Sequence, residues 1–180
     1  GNDGSVSMKN LKDCINNDLA NNYGNLCQRV FSFIKKNCEN KIPKPNKLNQ
    51  NDEILLTNLK KNMEKLITYI NDQKLNEYIK TVVQFSFEAN KYFNDSEPWV
   101  FKEKNPNRMN AILFTIVEQI RNISVLLNPI IPISTKKVLD TINISDKDIS
   151  IESLKKENIL NYTNELKNLD ILFKKVENDN

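Results

Sequence analysis

The chain has 180 residues, enough for one domain with a real core, and 39% of them are hydrophobic and 27% charged. It contains no histidine, which excludes His-based triads, His general-base chemistry and most zinc sites. A net charge of +3 permits an anionic partner without demanding one.

Gly is scarce at 3 and Pro numbers 6, while Leu, Ile, Lys, Glu and Asn dominate, a balance that favours helices throughout. Cys14, Cys27 and Cys38 fall into no metal-ligand or redox spacing. Their odd number argues against a disulfide framework, so they read as free thiols in a reducing cytoplasm. No uninterrupted apolar run approaches the length of a membrane span and nothing resembles a signal peptide, which predicts a soluble, cytoplasmic protein. The chain begins at Gly1 without an initiator Met, as a piece of a longer protein would.

In chain order, Ser7 is placed to cap a first helix running to about Cys38, bent near Gly24. Leu11, Ile15, Leu19, Leu26, Val30 and Ile34 recur along it at helical spacing. Glu39 to Gln50, with Pro43 and Pro45, reads as a surface loop. Asp52 would cap a second helix to about Ile70, and Asn71-Asp72 mark a short turn. A third helix is predicted from about Lys74 to Phe93. Ser96-Glu97-Pro98-Trp99 then forms a corner that Pro98 makes rigid. A strongly apolar fourth helix covers about Arg108 to Leu127, stopped by Asn128-Pro129. Ser134 would cap a short fifth helix to about Ile142, followed by a helix from Ile151 to Leu166 and an extended tail, Leu172 to Glu177. Long amphipathic helices joined by short connections predict an all-α antiparallel helix bundle over residues 1–165, with residues 166–180 as a C-terminal tail.

No catalytic constellation is visible: the chain has no GxGxxG, P-loop or CxxC motif. One helix face does carry recognition chemistry. In a continuous helix, Asp18, Asn22, Asn25 and Arg29 stand at i, i+4, i+7 and i+11, and eleven steps of about 100° come to roughly three turns. Leu19, Tyr23, Leu26 and Val30 form a parallel apolar row that gives this helix a core side. An acceptor, two amides and a guanidinium on one face suit the edges of an unstacked base. A carboxylate accepts from the N4 amino group of cytosine, whereas uracil presents a carbonyl there. Trp99, the lone tryptophan, sits at an element junction, where it serves either the core or base stacking. Lys102 and Lys104 beside it are candidate phosphate contacts. The bland alternative for all of these is a solvated helix face with surface ion pairs.

These residues carry a family resemblance. Asp18-Leu19-Ala20-Asn21-Asn22-Tyr23-Gly24-Asn25-Leu26 with Arg29 resembles the opening helix of the anticodon-binding domain of bacterial methionyl-tRNA synthetases. Ala89-Asn90-Lys91-Tyr92-Phe93 followed by Glu97-Pro98-Trp99 is similar to the same domain, as are Glu118-Gln119-Ile120-Arg121 and Leu126-Leu127-Asn128-Pro129-Ile130-Ile131-Pro132.

The resemblance implies that the chain recognises the CAU anticodon of methionine tRNA, with Asp18, Asn22, Asn25, Arg29, Pro98 and Trp99 at the anticodon and the indole stacking on its bases. It also implies a parent ATP-dependent ligase. That enzyme's catalytic half, the site of ATP with magnesium and of zinc, has no counterpart here and would be a partner of this domain, with the tail returning toward it. Two alternatives stay open at this point. One is the matching domain of a cysteinyl, leucyl, isoleucyl or valyl enzyme. The other is a protein-interaction bundle with no RNA role.

Overall fold

The computed structural model describes residues 22–167 and Asp13, and among them it is helical without strands. The order is α1 (Gly24–Asn37), α2 (Gln50–Lys61), α3 (Met63–Asn71), α4 (Leu75–Ser96), a 3₁₀ turn (Pro98–Phe101), α5 (Pro106–Leu127) and α6 (Pro132–Thr141). Two further 3₁₀ turns, Asp146–Asp148 and Ile151–Lys155, follow. Ser7, Asp18 and the Leu172–Glu177 tail lie outside the described residues.

The bundle is built around α5. Met109, Ile112, Leu113, Ile116, Val117, Ile120, Ile123, Leu126 and Leu127 are all buried, so this helix is apolar on nearly every side and belongs at the centre. It packs against α1, α2, α4 and α6. By length and hydropathy α5 would qualify as a membrane span, yet 83% of its apolar window is buried inside the bundle. Polar contacts tie it to its neighbours: the buried Tyr78 hydroxyl of α4 donates to the Leu126 carbonyl at 2.5 Å, and Tyr23 meets Ser124. Arg121 is buried against Glu118 and donates to the Ser153 carbonyl at 3.5 Å. That motif thus pins the last 3₁₀ turn to the core.

The predicted boundaries need four corrections. The helix expected from Asp52 to Ile70 is two helices, broken at Asn62, whose side chain donates to the Asn58 carbonyl. Asp52 is not the N-cap. Asn49 is, and Asp52 stands three residues on, accepting from the Asn49 N–H while Asn49 accepts from the Asp52 N–H, a reciprocal capping box. The helix expected to be capped by Ser134 starts earlier, with Pro132 in its first turn and Ser134 inside it. The helix expected over Ile151–Leu166 shrinks to the 3₁₀ turn Ile151–Lys155. Its remainder is claimed by local side-chain bonds: Asn161 Oδ1 accepts from the Thr163 and Asn164 N–H groups, and Asn158 is left-handed at φ 60°. Such bonds offer the backbone an alternative to helix. Beyond them, the Leu166 N–H donates to the Asn40 carbonyl and the Lys167 N–H to that of Thr141.

Candidate nucleic-acid interface

The first wall of the site is the start of α1. Tyr23, Leu26 and Val30 are buried as the apolar row requires, and this turns Asn25 and Arg29, one helical turn apart, outward to solvent. Just before α1 the helix widens into a π turn at Asn22–Tyr23. The even 100° step is interrupted there, so Asn22 is not set on the Arg29 face by periodicity alone. Its carbonyl instead accepts from Asn90 Nδ2 at 2.8 Å, tying this turn to α4.

The second wall is the C-terminal half of α4. Asn90 and Asn94 are i and i+4 on one face, with Phe93 between them. Arg29 Nη2 donates to Asn94 Oδ1 at 2.7 Å. The guanidinium lies 5.2 Å from the centroid of the buried Phe93 ring, a cation–π distance.

The third wall is the Pro98–Phe101 turn. α4 ends when Glu97 enters the left-handed region at φ 47°, which swings the chain sharply into buried Pro98. Trp99 emerges 43% exposed. It meets Phe93 edge-on, with centroids 5.8 Å apart and planes at 75°. The indole is thus half-exposed at the corner and packed by one edge contact against the core ring Phe93.

Phe93 therefore joins Arg29 to Trp99, giving a guanidinium, a ring and a wetted indole in sequence across two helices and a turn. Sequence reasoning had not placed Phe93, Asn90 or Asn94 at the site. The signal was available in the Asn90-x-x-Phe93-Asn94 spacing, but its partner face on α1 is visible only once the helices pack. Lys102 and Lys104 are exposed in the stretch after the turn. Among the described residues no ion pair engages Lys35, Lys36, Lys102 or Lys104, leaving their charge available to phosphate. Lys102 also acts on half-buried Cys38: burial pushes that thiol up to about 11, and the lysine charge opposes the rise. Burial thus favours the protonated thiol at Cys38, and Cys27 is raised further by complete burial. Among the described residues no cluster of Cys, Asp and Glu could hold a metal ion.

Comparison with known proteins places this geometry in context. The profile of the family described as the anticodon binding domain of methionyl tRNA ligase matches residues 42–180. A methionine–tRNA ligase of Brucella suis is 35% identical over 144 residues, 80% of this chain and 28% of that protein. One from Rickettsia felis is 31% identical over 185 residues, 99% of this chain and 36% of that protein. The chain therefore spans about a third of the length of these relatives. Among solved structures, methionyl-tRNA synthetase of Mycobacterium tuberculosis in complex with methionyl-adenylate matches with a TM-score of 0.80 and 26% identity. That match covers 91% of this chain and 32% of the other.

Proposed function

We propose a function from one premise: the chain belongs to the family of anticodon-binding domains of methionyl-tRNA ligase. It is the recognition module of a methionine–tRNA ligase and reads the CAU anticodon of methionine tRNA. Trp99 stacks on an unstacked anticodon base, with Pro98 fixing the corner that presents it. Arg29 donates to base edges or backbone, and Asn22 and Asn25 offer amides from the same end of the first helix. Asp18 selects cytosine by accepting from its N4 amino group. Lys102 and Lys104 hold phosphates without regard to sequence.

The observation that supports this reading best is the Arg29–Phe93–Trp99 succession, which holds a cation and a half-exposed indole at one corner. An indole kept at 43% exposure serves little purpose in a core but offers an open π-face to a base. ATP, magnesium and any zinc belong to the catalytic half of the parent enzyme, which activates methionine in the cytoplasm and meets this module through residues 166–180. Residues 1–165 are the recognition bundle.

The test is titration of the 180-residue chain with a CAU anticodon stem-loop beside a UAU one at moderate salt. Binding to CAU with a clear loss on UAU is expected. Equal, strongly salt-dependent binding to both would overturn base reading, and no binding to either would favour a protein-interaction bundle.

A further inference from the structure

The Asp52 carboxylate is completely buried, and it gathers three elements. Arg108, in the first turn of α5, grips it with both terminal nitrogens: Nη1 to Oδ2 at 2.7 Å and Nη2 to Oδ1 at 2.9 Å. The Tyr92 hydroxyl, on α4, donates to Oδ1 at 2.5 Å. The Asn49 N–H at the start of α2 completes the shell at 2.9 Å. Every strong acceptor direction of this carboxylate is thereby used.

The positions of its partners in the chain matter more than their number. Tyr92 lies seven residues before Trp99 and Arg108 nine residues after it, so the carboxylate clamps both ends of the segment that carries the indole. Tyr92 is also the immediate neighbour of Phe93, the ring on which Trp99 and Arg29 both rest. Between the clamped ends the segment is held by short-range bonds. The Glu97 N–H donates to the Phe93 carbonyl, that of Val100 to Glu97 and that of Asn105 to Phe101, and the Asn105 side chain caps α5. A rotation of α4 or α5 at the carboxylate is therefore passed to Phe93 and Trp99 instead of being absorbed in a slack loop.

A buried ion pair is a weak source of stability, since desolvation offsets most of its attraction, and fixing geometry is among its attested uses. The bidentate fork specifies an angle as well as a distance. We propose that Asp52, Tyr92 and Arg108 are positioning residues that set the attitude of the Phe93–Trp99 pair. The consequence for RNA rests on the recognition reading above; the consequence for the indole does not.

The test compares two conservative variants of the full 180-residue chain, each losing one buried hydroxyl from α4. Tyr92→Phe removes the bond to Asp52. Tyr78→Phe removes the equivalent bond to the Leu126 carbonyl at the other end of the same helix pair. Thermal melting, the Trp99 indole N–H resonance with acrylamide quenching of its emission, and CAU stem-loop affinity are measured for both. Both variants are expected to melt lower. Tyr92→Phe alone should shift the indole resonance, change its quenching and weaken stem-loop binding about five-fold or more, part of what losing a stacked base removes. If the indole signals of Tyr92→Phe match the wild-type chain, or if Tyr78→Phe shifts them equally, the cluster is only a strut and the proposal fails. Should the indole respond while no variant or wild-type chain binds RNA, positioning stands and the recognition reading falls.

Discussion

At the scale of single residues the site divides into groups that face solvent and groups that aim them. Trp99→Ala is expected to weaken CAU stem-loop binding by about 1–3 kcal/mol while leaving the melting temperature almost unchanged, because the half-exposed indole contributes little to the core. Titration beside a thermal melt checks both halves. Arg29→Ala should narrow the difference between CAU and UAU affinities; an equal loss on both would make Arg29 a phosphate contact alone. Asp52 supplies the pH dependence. Burial pushes its carboxyl up, but the Arg108 guanidinium, the Tyr92 hydroxyl and the Asn49 N–H outweigh burial and hold it below the ordinary carboxylate range. A carboxyl depressed in the folded state adds stability above the unfolded value of about 3.9, and that stability is lost as pH falls through the folded value. Unfolding followed from pH 6 to pH 2 should therefore show a steep acid loss that is flattened in Asp52→Asn, whose baseline is lower.

At the scale of elements, the helices were legible where a single periodicity spans them. The apolar run from Met109 to Leu127 dictates a buried helix in any compact arrangement, and Tyr23, Leu26 and Val30 dictate the inner face of α1. Ile116→Ala, at the middle of α5, should cost about 2–5 kcal/mol, read by denaturant titration. Element ends were less legible, because caps depend on which of several neighbouring polar residues wins. Asp52 and Ser134 look like caps in a linear reading and neither is one, whereas Asn49, read as part of a loop, caps α2. Asn49→Ala removes the acceptor of the Asp52 N–H and should lower stability by about 1 kcal/mol, read by thermal melting. The segment after Ser150 was misread for a related reason. Its Leu and Ile spacing suits a helix, but Asn158 turns left-handed and Asn161 bonds the backbone N–H groups that follow it, which a lone, weakly packed helix does not outweigh.

At the scale of the whole molecule, the chain spans about a third of its relatives' length, and its described helices pack around one buried core. Charge at this scale is modest, so steering by phosphate attraction must be local. Replacing Lys102 and Lys104 together by Ala is expected to weaken CAU and UAU binding alike and to reduce the slope of log K against log salt by about 1–2. Stem-loop titrations at several salt concentrations measure this.

The sequence by itself determined the helical class, the buried apolar rows of α1 and α5, the exclusion of His chemistry and the family. These follow from composition, periodicity and short motifs, which are properties of neighbours along the chain. Tertiary structure decided which side chains meet. Arg29 finds Asn94 and Phe93 across 65 and 64 positions, and Asp52 finds Tyr92 and Arg108 across 40 and 56. No linear period encodes those distances. They arise because α1, α2 and α4 all pack on the one apolar helix, and burial leaves Asp52 a place only where a phenol and a guanidinium converge.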